Sequence, residues 1–270
     1  MNLSRRRCVQ FMAAVSLMPW QASQALSGNS RLLTLTREGS RVSFVLTEPD
    51  VKAAPSNEAV ILIHGALCDH TDWDPTVQQL SRRYRVIALD LMGHGKSDTT
   101  SGRIGIEAYA ADVQAICKEL GLSRVVLVAH SMGCRVALQC AKDMRDRVAS
   151  LVLLDGAYLS PMPTSGMAVA QRAALADNMQ QRVRALYEGP QAPQVIRAAF
   201  EQMFFEPRFY ELRDRIVLRA LQAPPRVAQE LMPNFAAWDI LHMEDALAAI
   251  QSPILAICST SFNSQRQRVQ

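Results

Sequence analysis

Five short apolar runs constrain this chain more than any other feature. Residues 59–63, 86–89, 125–128, 151–154 and 254–257 are each continuously apolar. Such runs suit strands buried on both faces of a parallel sheet, whereas a strand with one wet face alternates. Segments with apolar residues at helical spacing separate the first four runs, at 75–83, 106–120 and 132–145. Strand and helix in alternation predict an α/β class, with a mostly parallel sheet and helices on both faces. Upstream, alternation at 32–36 and 42–46 around Glu38 and Gly39 predicts a hairpin.

The rhythm breaks after Asp155. From 157 to 238 no buried-strand run occurs, while helical spacing recurs at 167–186, 195–205, 212–221 and 227–235, punctuated by prolines. This predicts a helical cap at 157–238 inserted into a core made of 31–156 and 239–270. The insertion is rich in Met and aromatic residues, among them Met162, Met203, Phe205, Phe209, Met232, Phe235 and Trp238. That composition fits ordinary core and equally a lid over an apolar cleft.

Composition narrows the class. A chain of 270 residues with 49% hydrophobic and 20% charged residues is globular, and 12 Gly with 13 Pro exclude collagenous and low-complexity sequence. The net charge of +4 owes three charges to Arg5, Arg6 and Arg7, and no acidic residue precedes Glu38. The remaining basic residues are scattered among acids, so no nucleic-acid partner is expected. The basic run precedes an apolar stretch at 11–20, and Ser23, Gln24 and Ala25 provide a cleavage site. Residues 1–25 thus read as an export signal, with periodic features of a twin-arginine leader in which Cys8 replaces the usual large apolar residue. An uncleaved or ordinary secretory N-terminus is the alternative. Export to the periplasm or beyond is expected, and no later run is long enough for a stable membrane span. The five cysteines beyond the signal, Cys68, Cys117, Cys134, Cys140 and Cys258, lack CxxC spacing and read as small buried hydrophobes.

The chemistry concentrates where strands end. The run at 125–128 leads into Ala129-His130-Ser131-Met132-Gly133. A serine on a sharp turn between a buried strand and a helix holds its hydroxyl above the sheet edge, and the following N–H faces the reacting carbonyl. Gly133 lets the helix pack closely behind. His64-Gly65-Ala66 follows the first buried strand, so the N–H of Ala66 can join that of Met132 in an oxyanion hole. Asp90 to Ser97, with Gly93 and Gly95, shapes a loop after the next strand. In these three motifs, and in their order, the chain resembles the lidded α/β-hydrolases of the AB hydrolase-1 type, a group with esterases, cofactor-free haloperoxidases and carbon–carbon bond hydrolases.

The resemblance implies an α/β-hydrolase fold with the cap inserted after the sixth strand, and a Ser, acid, His triad in that chain order. Ser131 matches the nucleophile; Ala129 stands where the first glycine of the elbow is usual. No carboxylate follows the run at 254–257, so the acid falls to the alternative position after the preceding strand, Asp155, which also suits a loop-capping aspartate. The family's histidine lies beyond one further strand, and the 13 residues after Ile257 contain no His. His64, His94 and His130 read as loop-fixing residues. His70 reads as solvated or at the pocket rim. His242, at the start of a helix descending from the cap, is a candidate base or a structural residue. The expected function is hydrolysis of a small apolar carboxylic ester or related acyl compound by Ser131, without metal or organic cofactor. The alternatives are a non-catalytic protein of this fold and a truncated, inactive product lacking the last strand and the histidine.

Overall fold

A computed structural model of the protein describes residues 29–50, 57–156, 164–204 and 206–258. The export signal read at 1–25 lies outside the described residues, as do Met162, Phe205 and the polar segment after Cys258. Seven strands, β1 (Ser30–Arg37), β2 (Ser40–Thr47), β3 (Glu58–Ile63), β4 (Val86–Asp90), β5 (Arg124–His130), β6 (Val148–Leu154) and β7 (Ile254–Ile257), form one sheet among these residues. Its order is β1-β2-β4-β3-β5-β6-β7. β2 pairs antiparallel with β1 and β4, and the remaining pairs are parallel. All five apolar runs are therefore strands, as expected. Chain direction across the sheet reverses at β3, which places a crevice at the C-terminal ends of β3 and β5.

Strand periodicity divides the core. Ile61, Ile63, Ile87, Leu89, Val125 and Leu127 face the larger cluster, which includes Tyr109, Val113 and Ile116 of α2 (Ile106–Glu119) and Val136, Ala137 and Leu138 of α3 (Gly133–Asp143). On the opposite face Val60, Leu62, Val86 and Ala88 pack with Trp73 and with Leu80 of α1 (Asp74–Leu80). The last run departs from expectation. Ile254 and Ala256 of β7 are exposed, because β7 pairs only with β6 among the described residues and so forms the sheet edge.

Among the described residues, five α-helices lie between β6 and β7: α4 (Val169–Glu188), α5 (Ala192–Glu201), α6 (Tyr210–Gln222), α7 (Pro225–Leu241) and a short α8 (Met243–Ala249) that leads into β7. Pro225 opens α7, where its missing N–H costs nothing, and the helix continues through Pro233 to Leu241, beyond the pattern that ends at 235. Tyr187, Phe200, Val217, Ala220 and Leu231 of these helices belong to the same apolar cluster as the sheet. Trp238 is buried and Met232 and Phe235 are half-buried, whereas Met203, Phe209 and Tyr210 are exposed. The aromatic-rich insertion is thus core on its inner side only.

Polar ties supplement this packing. Arg135 of α3, almost fully buried, makes a bidentate pair with Asp239 of α7, Nε at 2.9 Å and Nη2 at 2.8 Å, and its guanidinium lies 4.7 Å from the Phe235 ring centre. Trp238 Nε1 donates to Gln139 at 3.1 Å, and Asn234 accepts from the N–H of Ile106 at 2.9 Å. Cys68, Cys117, Cys134 and Cys140 are buried, as expected, but Cys258 is exposed because it follows the edge strand. No described helix is long and apolar enough to cross a membrane.

Removing one member of a buried ion pair strands the other charge. Asp239→Ala is expected to cost about 3–5 kcal/mol in urea unfolding, and Arg135→Met combined with Asp239→Leu to recover most of that loss.

Candidate active site

Register brings the three motifs together. Ile63 pairs with Ala129 and His130 with Leu154, so Gly65 and Asp155 lie on either side of Ser131 at the C-terminal edge of the sheet. The N–H of Ser131 donates to Leu154 O at 2.9 Å, and that of Asp155 to Ile257 O at 2.8 Å. These bonds carry the ladder one residue past the strand ends, into left-handed backbone: φ is +52° at Ser131 and +49° at Asp155. A non-glycine residue there costs on the order of 1 kcal/mol and persists only where its surroundings over-determine it. The half-buried Ser131 thus occupies the strained strand-to-helix turn that its sequence context predicts.

Two glycines permit this approach. A Cβ on Gly133 would lie 2.6 Å from the carbonyl oxygens of both Ile63 and His64, so the first turn of α3 can meet the end of β3 only without a side chain. A Cβ on Gly65 would lie 3.1 Å from His130 Nδ1 and 3.3 Å from Ser131 Cβ. Ala66 therefore follows directly on the residue that touches Ser131. Neither its N–H nor that of Met132 has a hydrogen-bond partner among the described residues. Two open donors beside a serine hydroxyl are what an oxyanion hole requires.

Histidines fix the loops. His64 Nδ1 donates to Gly65 O at 2.7 Å while its Nε2 accepts from the N–H of Leu91 at 3.0 Å. His94 Nδ1 donates to Met92 O at 3.1 Å while its Nε2 accepts from Leu67 at 3.1 Å. Burial, then the neighbouring His94 ring, pushes His64 down to about 3, and burial pushes His94 down to about 4. Both rings are consequently neutral acceptors for a backbone N–H near pH 7. Burial also lowers His130, against the opposing charge of Asp155. The loop-fixing role expected of His64 and His94 is observed in these bonds.

Of the two expectations for His70, the solvated one does not hold. Instead of being solvated, it is mostly buried, and both its N–H, at 2.9 Å, and its Nδ1, at 2.8 Å, donate to Asp90 Oδ1. The other Asp90 oxygen accepts from the N–H of Lys96 at 2.9 Å. Burial opposes the charged form of each partner. The hydrogen bond and charge of Asp90 nevertheless raise His70 above its ordinary 6.5, and His70 with the backbone donors lowers Asp90 below its ordinary 3.8. His242 Nε2 lies 3.3 Å from Glu107 on α2. All five histidines are among the described residues, and none makes a hydrogen bond to the Ser131 hydroxyl there.

The decisive comparison is with the family model described as α/β hydrolase fold, which matches residues 58–261. The chain belongs to the α/β-hydrolase family. Among curated relatives, it is 39% identical over 110 residues to the non-heme haloperoxidase of Rhodococcus erythropolis, 40% of each chain. It is 30% identical over 106 residues to 2-(acetamidomethylene)succinate hydrolase of Mesorhizobium japonicum, 39% of this chain and 38% of that one. The matched part spans well under half the length of these curated relatives. Among solved structures, an esterase from Exiguobacterium antarcticum superposes with a TM-score of 0.61 at 18% identity, over 83% of this chain and 79% of its own. This likeness shows that the chain shares the fold of that esterase.

The sign of the His70 coupling sets a pH test. A raised imidazole pKa contributes stability that is full below 6.5 and is lost as pH rises through the folded value; a lowered carboxylate contributes above 3.8 and is lost on acidification. His70→Gln should therefore lower Tm most between about pH 4 and 6.5, and the gap to the unsubstituted protein should narrow at higher pH in melting curves.

Proposed function

We propose that the chain is a serine hydrolase acting on carboxylic esters or related acyl compounds, with Ser131 as nucleophile. The observation that carries this reading is the left-handed backbone of Ser131 between β5 and α3, beside two open N–H donors. Attack by the Ser131 oxygen on an acyl carbon would place negative charge on the carbonyl oxygen. The N–H groups of Ala66 and Met132 would hold that charge, an interaction worth about 3–4 kcal/mol per donor in well-formed sites. Asp155, one strand over, is the proposed acid of the triad, held by its N–H to Ile257 O. The apolar inner side of α4 to α7 would cover a small apolar substrate, and this chemistry calls for no metal or organic cofactor. Family membership and hydrolase relatives support the reaction type.

A serine hydroxyl needs a base within hydrogen-bond reach to be a good nucleophile at neutral pH. The five histidines are engaged with other groups as described above or lack a bond to Ser131. That observation favours a second reading, a binding protein that keeps the fold without catalysis. An active-site-directed fluorophosphonate separates the two. Labelling that disappears in Ser131→Ala supports the nucleophile, equal labelling of both proteins removes the assignment, and no labelling of either supports the non-catalytic reading. If the serine is labelled and a p-nitrophenyl ester turns over, Ser131→Ala should lower kcat by at least about 1,000-fold. The export reading of residues 1–25 is proposed on their basic-then-apolar pattern, and is tested by whether they carry a fused alkaline phosphatase out of the cytoplasm.

A further inference from the structure

The loop that carries the Ala66 donor is held from two sides. From the sheet, His94 accepts the N–H of Leu67 and Asp90 takes both donors of His70. From the cap, Arg219 of α6 reaches into the same loop. Its Nη1 donates to Asp69 Oδ1 at 3.0 Å and to Thr71 Oγ1 at 2.9 Å, and its Nη2 to Asp72 Oδ1 at 2.5 Å. Asp69 Oδ1 also accepts from the N–H of Thr71 at 2.9 Å and from its hydroxyl at 2.5 Å.

Charge makes this tie more than a strut. Asp69, Asp72 and Asp74 lie within six residues, and Arg219 arrives from 147 positions along the chain to bridge the first two. Without it these carboxylates would repel across a loop whose backbone already carries left-handed strain at Leu67, φ +58°. Val217 and Ala220, on either side of Arg219 in α6, are buried in the common core, so the guanidinium reaches the loop only when α6 is seated.

We propose that Arg219 is a positioning residue: through Asp69, Thr71 and Asp72 it couples the seating of α6 to the conformation of residues 66–72, and so makes the Ala66 donor competent only under a seated cap. The catalytic part of this proposal rests on the serine-hydrolase reading; the coupling itself does not. A misplacement of about 1 Å in such a donor can cost on the order of 100-fold in rate without any loss of substrate contact.

The test compares the full chain with Arg219→Ala, with Arg219→Lys, and with Glu230→Gln, which removes the charge and one acceptor from a different cap tie to Ser101 and Gly102. Amide hydrogen exchange at 66–72 should accelerate by about 10-fold or more in Arg219→Ala and by less in Arg219→Lys, with β3 and β5 unchanged and with no loop effect in Glu230→Gln. With a p-nitrophenyl ester, kcat should fall by about 10–100-fold at nearly constant KM, and added guanidinium should restore part of it. Unchanged loop exchange overturns the coupling, as does equal acceleration in Glu230→Gln. A rise in KM at constant kcat overturns the positioning role. If Arg219→Ala does not fold, the lysine variant carries the same comparison. Absence of Ser131-dependent turnover in the unsubstituted protein removes the hydrolase reading and with it the positioning role, and loop exchange still decides the coupling.

Discussion

The contact between the first turn of α3 and the end of β3 is the constraint on which the rest of the sheet edge depends. Because a Cβ at Gly133 would sit 2.6 Å from two carbonyl oxygens, the elbow helix can lie against the loop after β3 only with glycine there. That approach sets Ser131 against Gly65, the neighbour of Ala66, so that Ala66 and Met132 each lie next in sequence to one side of this contact. Parallel register then adds Asp155 from β6. A helix displaced outward by even one methyl group would separate the hydroxyl from the donors, since closely packed interiors transmit such shifts.

Around this contact, polar side chains replace the regularity that the loops lack. His64, His94 and Asp90 each satisfy backbone donors of a neighbouring loop, and two of the three do so as neutral rings because burial lowers their pKa values. A buried N–H left without an acceptor costs about 1–3 kcal/mol, so these residues fix loop shape by excluding the alternatives. The cap is joined in the same manner, by Arg135 with Asp239 and by Arg219 with Asp69, Thr71 and Asp72. Two arginines thus connect the cap to α3 and to the loop after β3 respectively.

Local pattern made the sheet legible. Continuous apolar runs mark strands because burial on both faces removes alternation, and β3 and β4 follow that rule, while β5 and β6 alternate buried with half-buried residues; β7 does not, because a run of four apolar residues reads alike at an edge and in the middle. The turn at Ser131 was legible for the same reason, since a run, a serine and a glycine are contiguous. Arg219 was not. Its partners are more than 140 residues away, it sits among eight other arginines in the cap helices and their connections, and no spacing rule joins a helix face to a distant loop. The His70 and Asp90 pair escaped notice similarly: the two residues fall in different loops, and only the pairing of β3 with β4 brings those loops together.

Backbone strain bears on the choice between a catalytic and a non-catalytic reading. Four non-glycine residues have positive φ among the described residues; Glu38 lies in the hairpin turn, and Leu67, Ser131 and Asp155 lie at the C-terminal edge of the central strands. Each left-handed residue costs on the order of 1 kcal/mol, against a net stability of roughly 5–15 kcal/mol for a whole domain. A binding module needs a crevice, which β3 and β5 would provide with relaxed loops. It does not need a serine at the edge and a carboxylate one strand over, each held in place by a specific backbone bond, beside two N–H donors without partners among the described residues. The concentration of strain at these three positions therefore weighs toward chemistry at Ser131, and makes the source of its base the question on which activity turns.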